Sequence, residues 1–454
     1  MTREALDVWL YGTRIAQLHE TVRGRIGLAW TADAVQRWGR GARLLSAKLT
    51  IGTVPVDVLV GAYLDGLLPE GSARVNHALT AGVAPDDTYA LIRAYGRDTP
   101  GATIFVPAGT PDPTRAGHYE PLSAGQVAER LRRADEHLPT SPRETTESST
   151  LPGMVPKVTI HREGGQWFSC KEGAPSTWIL KRSNDAAREI GDVVDTEVAC
   201  LTLAREIGLT SIDAEIVDFG DVRAIAVSRY DRDVANGNAR LHQEDLAQAL
   251  GLNTQDPNRK FQWGSRMPSL VHAADVLRLD GGNPDALLRL VTFSFLVGNT
   301  DMHAKNISFL RHDDGKVALS PAYDIAMHLH HERENRRSAL DVNGRNRIDE
   351  LTIADVVAEA ERWGLPARRA ARVVAETTRA LDGALRGLDR ARHGGVPPRA
   401  WDLLERRIAA AVAGLPGPAT PAPAAGVVAG ASERPAGAGV EPQSGRPRGP
   451  RRPR

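Results

Sequence analysis

The chain has few cysteines, few aromatic residues and no long apolar run. Among its 454 residues only Cys170 and Cys200 are cysteines, too few for a disulfide framework and without the paired spacing of a structural zinc site. No window approaches the roughly 18 consecutive apolar residues that a membrane-spanning helix needs. The N-terminus lacks the basic stretch and apolar core of a signal peptide. We therefore expect a cytoplasmic protein that is neither exported nor inserted into a membrane.

An excess of charge of one sign is also absent. Lys and Arg number 57 against 56 Asp and Glu, so the overall balance predicts neither nonspecific binding to nucleic acid nor an acidic tail. Arginines are nevertheless frequent over residues 368–392 and in the tail. Interleaved acids such as Glu376 and Asp382 favour a solvated helix face for the first group. Contact of this surface with DNA phosphates, through a DNA-bound partner, is the alternative hypothesis.

Composition and periodicity divide the chain into four parts. Residues 1–113 alternate like short strands and then take helical spacing, which predicts a mixed N-terminal unit. Residues 114–230 have a Ser/Thr-rich segment followed by strands and one helix, and residues 231–413 are predicted to be almost all helix. Residues 414–454 contain scarcely any large apolar side chain, so we predict a disordered tail.

Individual elements follow from the same patterns. Strands are predicted at Lys157–Arg162, Trp178–Lys181, Ala214–Asp218 and Arg223–Tyr230. Helices are predicted at Val193–Ile207, Gln243–Leu250, Asp285–Val297 and Thr352–Trp363, the last opened by a capping pattern of Thr352 and Asp355.

The strongest chemical signal lies between residues 299 and 324. Asp301 and Asn306 occur in the run NTDMHAKN, and Asp324 ends the run SPAYD. A phosphotransferase needs one carboxylate that orients a hydroxyl nucleophile, and an Asn and an Asp that hold magnesium at the phosphates of ATP. An Asx-rich turn is the alternative, because these residues also favour turns for local reasons. The pattern predicts a kinase in which Asp301 acts on the acceptor and Asn306 and Asp324 bind the metal.

Two more polar residues lie between Asp301 and Asn306. Lys305 would place an ammonium where it can counter charge on the transferring phosphoryl group. His303 could orient the loop through a hydrogen bond or transfer a proton, and we favour the orienting role. Both are predicted members of the catalytic loop.

A lysine and a glutamate upstream match the nucleotide-binding pair of kinases. Lys181 ends an apolar strand, and the helix predicted after it carries Glu197. A strand lysine paired with a helix glutamate holds nucleotide phosphates in kinases. Glu189 and Asp195 are alternative partners because they lie nearby in the sequence.

A glycine and two prolines precede the first strand of this part, in the run LPGMVPK over residues 151–157. Gly153 would allow backbone amides to approach a phosphate closely. The run matches neither the Walker pattern nor the three-glycine kinase loop, so an ordinary turn is the alternative.

Several of these runs together resemble the HipA-type serine/threonine kinases, the toxin half of a bacterial toxin–antitoxin pair. The similar runs are TLPGMVPK (150–157), LHQEDLAQALG (241–251), GNTDMHAKN (298–306) and PAYD (321–324), with LDGLLPE (64–70) and LIRAYGRD (91–98) similar to the family's N-terminal part. The resemblance implies an α+β, two-lobed protein-kinase-like fold. It would have a mixed, β-rich N-terminal subdomain, a small lobe and an all-helical large lobe, with ATP and Mg²⁺ between the lobes.

The resemblance also implies roles by position. Asp301 resembles the catalytic aspartate, and Asn306 and Asp324 resemble the metal ligands. The nucleotide-binding positions would be Lys181, the phosphate loop with Gly153, Met154, Val155 and Lys157, and the adenine-side residues Arg229 and Tyr230. The implied substrate is a protein of the glutamyl-tRNA synthetase type, whose phosphorylation arrests growth. The implied partner is a small helix-turn-helix antitoxin (HipB-like), through which DNA would be contacted indirectly.

The chain departs from this family pattern at three positions. Family members phosphorylate one of their own serines before the phosphate loop; Thr150 occupies that position here, with Ser148 and Ser149 adjacent. Val155 replaces a common glutamine, and Ser228 replaces a frequent glutamate at the adenine side. These differences motivate an alternative function, a pseudokinase that binds a DNA-binding antitoxin as a corepressor. A small-molecule kinase is a third possibility.

Three histidines follow Asp324 closely, at positions 328, 330 and 331. Alternate positions on an irregular segment seldom converge on one ion, and no matching cysteine is nearby. We therefore predict a solvated loop there in preference to a metal site.

Overall fold

The computed structural model describes residues 3–21, 24–135, 150–152, 157–182, 191–331 and 336–415. The helices within them are α1 Ala32–Trp38, α2 Asp57–Gly66, α3 Gly71–Ala81, α4 Thr88–Tyr95, α5 Ala124–Asp135, α6 Val193–Glu206, α7 Leu246–Leu250, α8 Leu270–Leu279, α9 Pro284–Val297, α10 Ile353–Arg362, α11 Ala367–Gly387 and α12 Pro398–Ala413. None of these helices is long and apolar enough to cross a bilayer.

The strands of the same residues are β1 Leu6–Leu10, β2 Thr13–Glu20, β3 Ile26–Trp30, β4 Ile104–Pro107, β5 His118–Leu122, β6 Lys157–Glu163, β7 Gln166–Lys171, β8 Trp178–Arg182, β9 Ala214–Phe219, β10 Val222–Ser228, β11 Arg232–Asp233, β12 Ala239–Arg240, β13 Gln243–Asp245, β14 Ser308–Arg311, β15 Val317–Leu319, β16 Arg337–Val342 and β17 Arg345–Arg347.

The N-terminal subdomain is an antiparallel sheet of four strands, in the order β3-β2-β1-β4, covered by α2 and α4. Alternate residues Leu6, Val8 and Leu10 of β1 are almost fully buried in its core, as expected for a strand with one face inside. Tyr63 and Leu64 of α2 belong to the same core. The predicted strands and the helices that follow them are therefore confirmed.

A six-stranded antiparallel sheet, in the order β5-β7-β6-β8-β10-β9, forms the small lobe. Helix α5 packs on one face of this sheet, and α6 packs on the other. Leu180 belongs to the core on the α5 side, whereas Ile225 and Val227 belong to the core on the α6 side. Because side chains alternate along a strand, the pleat turns Lys181 towards α6.

The four strands predicted for this lobe correspond to β6, β8, β9 and β10, and the predicted helix corresponds to α6. Strands β5 and β7 are not predicted by the sequence pattern. Strand β5 reads HYEPL and buries only Leu122, so it carries no hydrophobic alternation. It forms because it pairs with β7 over its whole length, a contact between residues far apart in the sequence.

The large lobe is built around α9, which is buried from Leu287 to Val297 at nearly every position and packs against α10, α11 and α12. The predicted capping box of Thr352 and Asp355 is present at the start of α10. Helix α7 starts only at Leu246, because Gln243–Asp245 pairs as β13 with β14.

The prediction of an all-helical large lobe is therefore wrong in detail. This part of the chain also holds the sheet β13-β14-β15 and the pairs β11-β12 and β16-β17. The strands have between two and six residues, so none is long enough to show a clear two-residue period. The predictions for the Ser/Thr-rich segment up to 149 and for the tail beyond 415 lie outside the described residues.

Candidate active site

The loop after α9 holds Asp301 and Asn306 in a fixed relation. Helix α9 is capped by Gly298, whose left-handed conformation (φ +73°) favours glycine, and a Cβ at this position would lie 3.1 Å from the Leu329 side chain. The N–H of Asp301 donates to Oδ1 of Asn299 at 3.0 Å, and Nδ2 of Asn306 donates to the carbonyl oxygen of Asp301 at 2.8 Å. The Asp301 side chain is 50% exposed, so its carboxylate is accessible.

Asp324 is positioned by the residue before it and by its own backbone. The hydroxyl of Tyr323 donates to the carbonyl oxygen of Lys305 at 2.7 Å and lies 2.7 Å from the hydroxyl of Ser308. These contacts tie the SPAYD segment to the loop that holds Asp301 and Asn306. Asp324 has φ +54°, a left-handed conformation that is costly for a residue with a side chain and that often marks a functional position.

Lys181 joins the small lobe to Asp324. Its ammonium lies 2.8 Å from Oε1 of Glu197 on α6 and 2.5 Å from Oδ1 of Asp324. Lys181 and Glu197 are buried, while the Asp324 side chain is 36% exposed. Glu197, one of the partners that the sequence suggests, contacts Lys181. Asp195 instead pairs with Arg223, and Glu189 lies outside the described residues.

The charges of this cluster stabilise one another. Burial alone would lower the pKa of Lys181, but Asp324 and Glu197 outweigh it and raise the pKa above its usual value. Burial would raise the pKa of Asp324, but Lys181 and Lys157 hold it well below its usual range. Burial, with the nearby charge of Lys181, lowers the pKa of Lys157 to about 8. Lys157 is therefore the lysine of this cluster that can lose its proton near neutral pH.

All these side chains line one cavity of about 440 Å³ between the two lobes, a volume within the range of about 300–1,000 Å³ that is usual for ligand sites. The predicted residues that line it are Lys157, Lys181, Arg229, Tyr230, Asp301, His303, Lys305, Asn306 and Asp324. The structure thus brings together residues from five separate stretches of the sequence.

Lys305 has partners that the sequence did not suggest. Its ammonium lies 3.3 Å from Oε1 of Glu70 and 3.2 Å from the carbonyl oxygen of Gly66, both in the N-terminal subdomain. Lys260 contacts the other oxygen of Glu70 at 2.9 Å. Burial would raise the pKa of Glu70, but Lys305 and Lys260 outweigh it and lower the pKa. Glu70 is therefore a charged, buried member of the cavity wall.

Sequence reasoning did not identify Glu70 as a residue of the site. Glu70 ends the run LDGLLPE, whose resemblance to a family segment assigns no role to this residue. Asp245 also lines the cavity, and its Oδ2 lies 3.8 Å from the Lys305 ammonium. A glutamate buried from another subdomain leaves no local pattern, so only the tertiary structure assigns it a place in the site.

His303 is buried beside Asp301, with its Nε2 4.0 Å from Oδ1 of the acid. Its ring meets the ring of Phe261 edge to face. Burial, reinforced by the charge of Lys260, lowers the pKa of His303 to about 3. A neutral imidazole fits the orienting role better than that of a proton carrier at neutral pH.

Arg229 and Tyr230 border the cavity, but the Arg229 side chain points elsewhere. Its guanidinium is buried and bonds to Asp231 at 2.9 and 2.8 Å and to the hydroxyl of Ser176 at 2.8 Å. The Arg229 N–H donates to the carbonyl oxygen of Thr177 at 2.8 Å. Any contact of Arg229 with a nucleotide would therefore come from its carbonyl oxygen and not from its charge.

The other predicted positions fall in two groups. Gly153, Met154, Val155, Ser148 and Ser149 lie outside the described residues. Thr150 is described and is 1% exposed; its hydroxyl donates to the carbonyl oxygen of Leu67 at 2.9 Å. In this conformation the Thr150 hydroxyl faces the N-terminal subdomain.

The prediction of a solvated histidine loop after Asp324 is wrong. His330 and His331 are buried, and each Nε2 lies 2.6 Å from an oxygen of the Asp192 carboxylate. His328 is half-buried, and its Nδ1 accepts a hydrogen bond from the N–H of Thr300 at 3.2 Å. An acid from the start of α6 attracts two of these rings, and the sequence pattern gave no sign of it.

The lysine–glutamate pair, the cavity between the lobes and the Asp301 loop define a protein-kinase-like fold. The sequence model of the HipA-like C-terminal domain matches residues 149–385, and that of the HipA N-terminal domain matches residues 6–106. The chain therefore belongs to the HipA family. It superposes with a TM-score of 0.71 on HipA of Shewanella oneidensis MR-1, solved with HipB and operator DNA, at 23% identity over 90% of this chain and 96% of that one.

Curated relatives match along most of their length. The serine/threonine-protein kinase toxin HipA of Shewanella oneidensis is 26% identical over 370 residues, which cover 77% of this chain and 83% of the toxin. Y4dM of Sinorhizobium fredii, a predicted kinase, is 28% identical over 78% of this chain and 86% of its own length. Y4mE of the same species, also a predicted kinase, is 29% identical over 82% and 86%. The family is thus one of kinases.

Proposed function

We propose that this chain transfers the γ-phosphoryl group of ATP to a serine or threonine hydroxyl of a protein, and that it works with Mg²⁺. The observation that supports this most is the contact of Lys181 with both Glu197 and Asp324 in the wall of the cavity that Asp301 and Asn306 also line. These are the polar groups that phosphoryl transfer requires, and they come from remote parts of the sequence.

Each group has a role that follows from its chemistry. The half-exposed carboxylate of Asp301 would accept a hydrogen bond from the acceptor hydroxyl and orient it for attack. The ammonium of Lys181 would neutralise nucleotide phosphates. The ammonium of Lys305 is paired with Glu70. Lys305 would therefore contribute positive electrostatic potential at the phosphates and would not contact them directly.

The cavity also offers ligands suited to Mg²⁺, which prefers oxygen donors. Nδ2 of Asn306 is used by the bond to the Asp301 carbonyl, so the carboxamide oxygen is the atom of Asn306 that remains for a cation. Asp324 has one oxygen on Lys181 and is partly exposed. Asn306 and Asp324 would therefore hold the ion, which would balance the charge of the phosphates.

Labelled ATP and Mg²⁺ test this function directly, with the chain alone and with a bacterial cytosolic extract, followed by mass spectrometry of phosphorylated sites. We expect Asp301→Asn to reduce transfer by about 10²- to 10⁴-fold, and to leave ATP binding and the midpoint of thermal unfolding unchanged. Asp275→Asn, at a side chain that is 60% exposed on α8, is the matched control. Equal transfer by the parent and Asp301→Asn would refute the role of Asp301.

The same experiment also tests the identity of the substrate and of the autophosphorylated residue. A glutamyl-tRNA synthetase is our candidate substrate, phosphorylated in the cytoplasm with arrest of growth. Autophosphorylation would appear at Ser148, Ser149 or Thr150. Thr150 would have to leave its contact with Leu67 before its hydroxyl could react.

We further propose a HipB-like antitoxin as partner, with DNA contacted through it, because the structural relative was solved with HipB and operator DNA. Coexpression with the product of a neighbouring helix-turn-helix gene, followed by size-exclusion chromatography, tests this. Stable assembly without any phosphotransfer would favour the alternative, a pseudokinase acting as corepressor.

A further inference from the structure

A carboxylate and two consecutive imidazoles meet at the start of α6, outside the lining of the active-site cavity. Oδ2 of Asp192 lies 2.6 Å from Nε2 of His330, and Oδ1 lies 2.6 Å from Nε2 of His331. The side chains of the two histidines are 1% and 4% exposed, and that of Asp192 is 16% exposed. The cluster is therefore mostly withdrawn from solvent.

Helix capping does not explain where Asp192 directs its side chain. Asp192 is the N-cap residue of α6, but its carboxylate makes no capping hydrogen bond. An N-cap aspartate ordinarily accepts a hydrogen bond from the N–H two or three residues later. Here the carboxylate faces the histidines instead, which come from a segment about 140 residues later in the chain.

The imidazoles are held through one nitrogen. Nδ1 of His330 and Nδ1 of His331 are buried and lack a hydrogen-bond partner among the residues that the structure describes. Among the described residues, the hydrogen-bond partner of each ring is therefore the Asp192 carboxylate. Both Nε2 atoms are directed to the same small volume, because each contacts one oxygen of the same carboxylate. The two ring centroids are 4.0 Å apart.

We propose that Asp192, His330 and His331 bind a divalent transition-metal ion of the zinc type. The donor atoms all lie within 4.8 Å of one another. Two imidazole nitrogens and a carboxylate oxygen suit Zn²⁺, whereas Mg²⁺ prefers oxygen alone. Donors at about 2.0–2.1 Å from one ion lie roughly 3 Å apart, so the present contacts would open slightly. Each neutral ring would carry its proton on Nδ1, and water would complete the coordination.

Such an ion would connect two parts of the proposed active site. Helix α6 carries Glu197, and His330 lies six residues after Asp324. Glu197 and Asp324 both contact Lys181. An ion held by Asp192 and the histidines would fasten the start of α6 to the segment after Asp324. The ion site itself does not depend on the proposed kinase activity, because its ligands are separate from the cavity residues.

Zinc binding by the full-length chain tests the site. The chain, freed of metal and kept in excess Mg²⁺ to fill sites made of oxygen donors, is titrated with Zn²⁺ in a calorimeter. We expect one equivalent for the parent chain, and a Kd at least about 10-fold weaker for Asp192→Asn and for the His330→Gln/His331→Gln double variant. His118→Gln is the control, because that histidine is 56% exposed and lies on β5, away from the cluster.

Two further measurements keep the outcome clear if a variant folds poorly. Zn²⁺ should raise the midpoint of thermal unfolding of the parent and of His118→Gln, but not of the double variant. Co²⁺ bound to the parent should show the visible absorption of a site with nitrogen ligands. Absence of a bound equivalent in the parent, or equal affinity in the parent and the double variant, would mean that the cluster is only a hydrogen-bonded contact. None of these readouts uses ATP, so a failed kinase assay would not affect them.

Discussion

The ammonium of Lys181 lies 2.5 Å from a carboxylate oxygen of Asp324, although 143 residues separate the two in the chain. Glu197 completes the contact from α6 at 2.8 Å. One buried cation thus links the small lobe, its helix and the segment after the catalytic loop.

Replacing Lys181 should affect both stability and nucleotide binding. In Lys181→Met the buried Glu197 carboxylate loses its cation, which we expect to lower the free energy of unfolding by about 3 kcal/mol, and the affinity for ATP should fall. Denaturant unfolding and calorimetry measure the two effects. The control is Lys316→Met, at a lysine whose side chain is 80% exposed and whose loss should leave the free energy of unfolding almost unchanged. Similar losses in both variants would contradict the role given to Lys181.

Removal of Glu70 should loosen the N-terminal subdomain from the catalytic loop. Glu70→Ala leaves the buried ammonium groups of Lys260 and Lys305 without this partner, and we expect a loss of about 3 kcal/mol in unfolding free energy and slower phosphotransfer. Glu361→Ala, on the exposed side of α10, is the control and should change neither. If Glu70→Ala matched the control, the Glu70 contacts would be incidental.

Nucleotide affinity should depend on the charge of Lys157. Its pKa is lowered by burial to about 8, so the ammonium is present below that pH and is lost as the pH rises through it. We expect the Kd for ATP to increase from pH 7 to pH 9 in the parent chain. Lys157→Arg keeps its charge over this range and should give a flatter profile. A parent profile as flat as that of the arginine variant would show that Lys157 does not contact the phosphates.

The buried imidazole of His303 should make folding sensitive to acid. Its pKa is lowered to about 3 by burial in the folded chain, below the value of about 6.5 of an unfolded histidine. The unfolded state therefore binds the proton first, and stability is lost as the pH falls below about 6.5, by up to about 1.4 kcal/mol per pH unit. We expect this loss to be smaller in His303→Gln, as measured by denaturant unfolding between pH 4 and 7.

The pH profile of phosphotransfer distinguishes the two roles of His303. An orienting histidine predicts profiles of the same shape for the parent and His303→Gln, with a lower rate in the variant. An acid limb that is present in the parent and absent from His303→Gln would instead identify His303 as a proton carrier.

The local sequence pattern predicted the elements whose own residues show a clear hydrophobic period and recognisable ends. Helices α6, α9 and α10 have apolar stripes or runs and recognisable ends, and they occur where the sequence predicts them. The sequence pattern does not predict strand β5 or the short strands of the large lobe. These strands are stabilised by pairing with residues distant in the sequence, and their residues show no hydrophobic alternation. The same difference explains why Asp301 and Asn306 could be proposed from one short run, while Glu70 could not.

The sequence by itself determined which chemical groups the chain can bring to a site: an acid, an amide and a second acid around residue 301, and a lysine at the end of a strand. Their types and spacing are covalent facts. The tertiary structure alone decided that Glu197 and not Asp195 meets Lys181, that Glu70 reaches Lys305 from another subdomain, and that His330 and His331 turn inward to Asp192. These choices depend on how sheets and helices pack, since a charge withdrawn from water needs a partner that only packing can supply.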